Sequence, residues 1–81
     1  MQSAFVLITT EIGSENLVLN ALKKVSSVKE VYAIYGVYDL IAKVTADSMD
    51  KLKEIITYEI RKIEKIRSTL TMIISENIRK T

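Results

Sequence analysis

Val28-Lys29-Glu30-Val31-Tyr32-Ala33-Ile34-Tyr35-Gly36-Val37-Tyr38-Asp39-Leu40-Ile41-Ala42-Lys43-Val44 holds two β-rich runs with a glycine between them. Val28 to Tyr35 and Tyr38 to Val44 are rich in β-branched and aromatic side chains, which suit a pleated, half-buried surface. A Gly-X pair between such runs meets the demand of a two-residue type II′ turn, whose first central residue needs positive φ. The stretch reads as an antiparallel hairpin closed by Gly36-Val37.

On its N-terminal side, Ala4 to Thr9 is a first strand. Glu11-Ile12-Gly13-Ser14 is a loop ending in an N-cap, where Ser14 can accept an orphan helix N–H and Glu15 suits the positive end of the dipole. Leu17, Val18, Ala21, Leu22 and Val25 form one helical stripe, with Lys23 and Lys24 near its C-terminal end, and Ser26-Ser27 breaks the helix. On the C-terminal side, Asp47 or Ser48 caps a second helix with the stripe Met49, Leu52, Ile55, Ile56, Ile60 and Ile63. Asp50/Lys53 and Glu59/Lys62 are spaced for (i, i+3) surface pairs. A last strand runs from about Ile66 to Ser75, and Glu76 to Thr81 reads as a frayed tail.

The order strand-helix-strand, strand-helix-strand defines the split βαβ, or ferredoxin-like, α+β arrangement. The expected structure is one domain over residues 1–81, a four-stranded antiparallel sheet with both helices on one face. That sheet has an unusual composition. A sheet with one wet side should alternate apolar with polar. Here Ala4, Val6 and Ile8 form one row of the first strand and Phe5 and Leu7 the other. In the second strand Val31, Ala33 and Tyr35 oppose Tyr32 and Ile34, and in the third Tyr38, Leu40, Ala42 and Val44 oppose Asp39 and Ile41. Two helices cover one face; the other would leave an apolar patch of several hundred Å², more than monomers usually expose. A two-fold homodimer with sheet faces opposed removes it, at about 800 Å² per partner. The competing arrangement is a monomer whose short polar tail folds back over the sheet.

Composition narrows the chemistry. With 81 residues the chain makes one domain. It contains no Cys and no His, which removes thiolate chemistry, cysteine-ligated metal and the commonest proton-transfer side chain. No cofactor or metal is expected. No apolar run reaches the roughly 18 residues that span a bilayer, and Met1 to Phe5 has no secretory pattern, so the expected compartment is cytoplasm without membrane contact. The net charge of +2 says little about partners, and the basic run from Arg61-Lys62 to Lys65 and Arg67, broken by Glu64, reads as a solvated face.

Two stretches stand out as candidate sites. Asp39 in Gly36-Val37-Tyr38-Asp39 is an acid one residue into a strand, and such a carboxylate needs a partner: Lys43, a backbone N–H or a bound cation. It could equally be an edge charge against aggregation. Thr69 and Thr71 place two hydroxyls in a row on the last strand, which the ordinary β-propensity of threonine also explains. Together they suit an α-amino acid: Asp39 for the ammonium, the backbone around Gly36 and the two hydroxyls for the carboxylate. The two stretches lie on or beside the outer strands, so they could converge across a subunit seam.

Ala4-Phe5-Val6-Leu7-Ile8, Gly13, Val28-Lys29-Glu30-Val31-Tyr32, Gly36-Val37-Tyr38-Asp39-Leu40 and Ile66-Arg67-Ser68-Thr69-Leu70-Thr71-Met72-Ile73-Ile74 stand in an ordered set over nearly the whole chain. In this the sequence resembles the effector (RAM) domain of the Lrp/AsnC, or leucine-responsive, transcription regulators. The resemblance implies a ferredoxin-like dimer joined through its sheet, further assembly into rings such as a tetramer of dimers, and a small amino acid effector held between dimers. It makes Gly36, Val37, Tyr38, Asp39, Thr69 and Thr71 the candidate contacts. No helix-turn-helix precedes the first strand, as in the stand-alone members; this implies sensing without direct DNA contact, or mixing with full-length relatives. The glycine usual before the last strand is replaced by Glu64-Lys65-Ile66.

Other functions fit less well. An enzyme on this fold would need a base or nucleophile, and no Ser or Thr has an evident activating partner. An RNA-binding RRM needs stacking aromatics beside basic residues on its central strands, where this chain has Tyr38-Asp39-Leu40-Ile41. An ACT-like amino-acid-binding domain has the same element order, and the two site stretches favour the Lrp/AsnC reading over it.

Overall fold

A computed structural model describes residues 1–75; the tail Glu76 to Thr81 lies outside them. The elements are β1 (Gln2–Thr10), α1 (Glu15–Lys23), β2 (Val28–Ala33), β3 (Leu40–Ala46), α2 (Met49–Ile55), which continues into a π-helical turn (Ile56–Ile60), and β4 (Ile66–Ile73). The sheet order is β2-β3-β1-β4 with every neighbouring pair antiparallel. This is the ferredoxin-like α+β arrangement, with β2 and β4 at the edges.

Burial alternates along the two central strands. Ala4, Val6, Ile8 and Thr10 of β1 are buried, as are Leu40, Ala42, Val44 and Ala46 of β3. Val18 and Leu22 of α1, and Leu52, Ile55, Ile56 and Ile60 of the second helix, complete that core. The stripe of α2 is as the spacing requires. That of α1 is rotated from expectation: Leu17 is exposed, and Leu19 packs against the core in its place. Val18 and Leu22, one turn apart, set the buried direction, and Leu17 and Leu19 fall on either side of it.

The hairpin differs from its expected form. β2 ends at Ala33 and β3 starts at Leu40, so Gly36-Val37 is not a two-residue type II′ turn. The Ile34 N–H donates to the Asp39 carbonyl (2.9 Å), and Tyr35 to Tyr38 form the loop. Gly36 has φ +141°, a value open to glycine but far from the roughly +60° of a II′ turn. The reason lies in the neighbouring strand: the Asp39 N–H donates to the Ile8 carbonyl (2.9 Å), which holds Asp39 against β1 and keeps the hairpin open.

The two helix starts also differ. The Ser48 hydroxyl accepts the Lys51 N–H (3.1 Å), so Ser48 rather than Asp47 caps α2. The Ser14 side chain makes no capping bond, against expectation; its carbonyl accepts the Val18 N–H, and its own N–H donates to Glu11 in a turn. Neither expected (i, i+3) ion pair closes. Among the described residues the ion pairs are Lys43–Glu30 and Lys65–Glu11, both at 3.9 Å.

Within Glu64-Lys65-Ile66, before β4, Lys65 adopts φ +75°. Its carbonyl accepts the Glu11 N–H (2.8 Å), so the turn that starts β4 is tied to the loop after β1. An L-residue in this region costs about 1–2 kcal/mol, while glycine costs about 0.5–1 kcal/mol of extra chain entropy. Lys65→Gly is therefore expected to stabilise the fold by about 0.5–1 kcal/mol, read as a rise of a few degrees in Tm. Calorimetry on the caps gives a second check: Ser48→Ala should cost about 1 kcal/mol, while Ser14→Ala should change stability by no more than a few tenths.

Candidate functional site

Phe5, Leu7, Ile41, Leu70 and Met72 point away from both helices. The strand register aligns Tyr32, Ile41, Leu7 and Leu70 in one row across all four strands. Phe5 and Met72 align in the next, beside Lys43. Tyr32 is 51%, Leu70 45% and Met72 49% exposed, and Phe5, Leu7 and Ile41 are half-buried only by one another and their strand neighbours. With strands about 4.8 Å apart the row spans roughly 14 Å from edge strand to edge strand. Its margin is polar. Thr9 and Ser68 hydroxyls meet at 2.6 Å at one end and Ser3 and Thr45 at 3.2 Å at the other. Glu30 takes Lys43 and the Tyr32 hydroxyl at a corner, and this hydrogen bond, together with the Glu30 charge, raises the Tyr32 pKa above its usual value. An apolar centre with a hydrogen-bonding rim is the composition of a protein interface core.

Asp39 has found its partner in the main chain. Its Oδ2 accepts the Thr10 N–H at 2.9 Å and faces the Thr10 hydroxyl at 3.4 Å. Lys43 instead pairs with Glu30. Thr10, which no sequence motif singles out, lies beyond the last β1–β3 pair, Ile8 with Leu40, so its N–H falls outside that ladder and needs this acceptor. Asp39 Oδ1 accepts no hydrogen bond among the described residues.

The candidate residues occupy two separate hollows. One, of about 380 Å³, is lined by Glu15, Ala33, Ile34, Tyr35 and Asp39. Gly36 and Val37 are exposed on the loop beside it and Tyr38 is half-buried. The other, of about 340 Å³, holds Thr69 and Thr71 with Lys53, Ile56, Thr57, Arg61 and Ile73. Thr69 and Thr71 pair with Ile8 and Val6, which puts them on the helix-bearing side of β4. β1 runs between β3 and β4, so Asp39, just before β3, stands about two strand spacings, roughly 10 Å, from the threonines of β4. One subunit does not bring the acid and the hydroxyls together. Lys53, Thr57 and Arg61 entered the site unannounced, although their i, i+4, i+8 spacing puts them on one helix face.

Among the described residues no group of three His, Cys, Asp or Glu side chains is placed to hold a metal, and no helix is long and apolar enough to cross a membrane.

The family model for the Lrp/AsnC ligand-binding domain matches residues 3–81. The structure of FFRP-DM1 is similar at 44% identity, over 91% of this chain and 99% of that one, with a TM-score of 0.88. AsnC of E. coli is similar at 29% identity and TM-score 0.88, over 99% of this chain and 55% of that one. Transcriptional regulator NMB0573 of Neisseria meningitidis, solved as an L-Met complex, shares the fold at 12% identity (TM-score 0.83, 99% of this chain and 53% of that one). No curated protein is similar enough to add a further relative. The chain belongs to the Lrp/AsnC ligand-binding domain family, and its resemblance is to the effector domains of those regulators.

Proposed function

We propose that this protein is an oligomeric sensing module that binds a small amino acid at a seam between subunits and acts in regulation of transcription or amino-acid metabolism, not in catalysis. The observation that carries this reading is the bare apolar sheet face, because a seam exists only in an assembly. Sheet-to-sheet dimerisation would bury the Tyr32-Ile41-Leu7-Leu70 row and leave both edge strands, with their hollows, outward. Ile12, Tyr35 and Val37 stand almost fully exposed at one end of the domain, where the loop after β1 lies beside the loop between β2 and β3. They supply apolar contacts for a second assembly step, from dimers into rings such as a tetramer of dimers.

Stereochemistry supports the seam. The ammonium and carboxylate of an α-amino acid are attached to one carbon and sit about 3 Å apart. They cannot span the roughly 10 Å between Asp39 and the threonine hydroxyls of one chain. Asp39 Oδ1 of one subunit could receive the ammonium while the Gly36 backbone and the Thr69 and Thr71 hydroxyls of another receive the carboxylate. L-Met is the ligand in the Neisseria protein that shares this fold, and amino acids are accordingly the effector class to test.

Sedimentation is expected to give a dimer or larger at micromolar concentration, and Leu7→Lys, which places a charge at the centre of the row, should release folded monomers. A wild-type monomer would overturn the reading. In a thermal-shift screen of the twenty amino acids, one at a hundred times its Kd should add about 2.7 kcal/mol to stability. Asp39→Asn keeps a carbonyl oxygen for the Thr10 N–H and should fold, yet lose the shift. If it responds like the parent, the ammonium binds elsewhere.

A further inference from the structure

The hollow at β4 carries more than the two threonines. α2 leans over the central strands and leaves the helix-bearing side of β4 open: Thr71 is exposed and Ile73 is 38% exposed. The second helix and β4 run antiparallel along this opening. Lys53, Thr57 and Arg61 recur every four residues, a rise of about 6 Å. Ile73, Thr71 and Thr69 recur every two, a rise of about 6.8 Å. The ladders therefore keep step, with Arg61 toward the Thr69 end and Lys53 toward the Ile73 end. The π turn belongs to this arrangement. It carries the Arg61 N–H to the Ile56 carbonyl (2.9 Å) and keeps Ile56 and Ile60 in the core while Thr57 and Arg61 stay on the open side.

The lining has one sign. Two cations and three hydroxyls surround it, Ile56 and Ile73 give it an apolar wall, and no carboxylate is among its residues. Neither Lys53 nor Arg61 has an acidic partner within 4.0 Å among the described residues. Arg61 and Thr69 also line an adjoining depression with Arg67 and Ser68, which extends the positive surface along the strand edge. A volume of about 340 Å³ is at the small end of ligand sites.

We propose that this cleft is, within a single subunit, a binding site for small monocarboxylates that carry a short apolar body and no ammonium group, of which a branched 2-oxo acid is the type. The carboxylate sits on Arg61, Lys53 and the threonine hydroxyls, and the aliphatic part lies against Ile56 and Ile73. Arginine offers a paired-donor fork for a carboxylate, and charge-assisted hydrogen bonds are the stronger kind. An ammonium in the same place would face two cations and no acceptor of opposite charge. The site shares Thr69 and Thr71 with the amino acid reading, but it needs neither Asp39 nor a second subunit.

Heteronuclear NMR titration at matched ionic strength, with 4-methyl-2-oxopentanoate, L-leucine and inorganic phosphate as probes, tests it. The oxo acid is expected to shift the amides of Thr57, Thr69 and Thr71 with a Kd on the order of 1 mM, and more tightly than phosphate, which has no part to place on the isoleucines. Arg61→Gln should weaken it roughly tenfold and Lys53→Gln in the same direction. Lys62→Gln, a neighbour outside the cleft, should leave it unchanged. Absence of shifts at about ten times that concentration, or shifts indifferent to Arg61→Gln, overturns the proposal. So does L-leucine binding at these residues as tightly as the oxo acid in the Asp39→Asn variant. If L-leucine binds through Asp39 and the oxo acid does not bind, this proposal fails and the seam reading stands. Oxo acid binding with no amino acid response gives the reverse.

Discussion

β1 is the strand on which the structure depends, because it is hydrogen-bonded on both sides and apolar on both faces. Ala4, Val6 and Ile8 face the helices and are fully buried, while Phe5 and Leu7 face away. Such a strand does not set its own register. A slip by one residue exchanges one apolar row for the other, and hydrophobicity alone barely opposes it. Register must be imposed from outside, and β3 does so. Its buried residues Leu40, Ala42, Val44 and Ala46 alternate with Lys43 and Thr45, so a slip there would bury a lysine. Asp39 adds a second lock at the end of the strand, its N–H on the Ile8 carbonyl and its carboxylate on the Thr10 N–H.

This lock recasts the acid in the loop. Both readings of Asp39, a structural charge and a ligand group, are compatible with the observed geometry because the two oxygens are distinct. Oδ2 is committed to Thr10, and Oδ1 accepts nothing within the described chain. A carboxylate held by one oxygen has a fixed orientation, and a ligand meeting the other oxygen does not have to order it. The wider loop follows from the same bonds. Once Asp39 is drawn to β1, Gly36 and Val37 cannot close a tight turn and instead project from the end of the sheet.

Element order, sheet topology and core were legible because they rest on periodicity. The alternation of Ala42, Val44 and Ala46 with Lys43 and Thr45 and the stripe from Leu52 to Ile60 admit few alternatives. What escaped depends on contacts between distant segments. The bond from Thr10 to Asp39 spans 29 positions, and nothing local in either segment announces it. Ser14 has the side chain of a cap but not the backbone, at φ −106° and ψ 9°, since the turn from Glu11 sets its direction. The left-handed Lys65 was hidden because its conformation is dictated by the partner of its carbonyl, Glu11. The two threonines were visible as a pair, while Lys53, Thr57 and Arg61 looked like an ordinary wet helix face until the uncovered flank of β4 was seen opposite them.

The two hollows have opposite character, and this would give the proposed assembly a chemical logic. The one at the loop end of β2 and β3 has Glu15 and Asp39 on its wall; the one at β4 has Lys53 and Arg61. They lie at opposite edges of one sheet, so neither neutralises the other within the subunit, and surface charges this far apart are also partly screened by salt. In that assembly, docking one edge against another would bring acid toward base, which would favour association in that orientation and disfavour like edges meeting. A zwitterion is complementary to such a seam and to neither hollow alone, because each half leaves one of its charges unpaired. A simple carboxylate is complementary to the basic hollow alone. On these proposals the two kinds of ligand would differ in consequence as well as in place: the zwitterion would be bound only where subunits meet and would favour assembly by mass action, whereas the amine-free acid would occupy the basic hollow and weaken its attraction for the acidic edge.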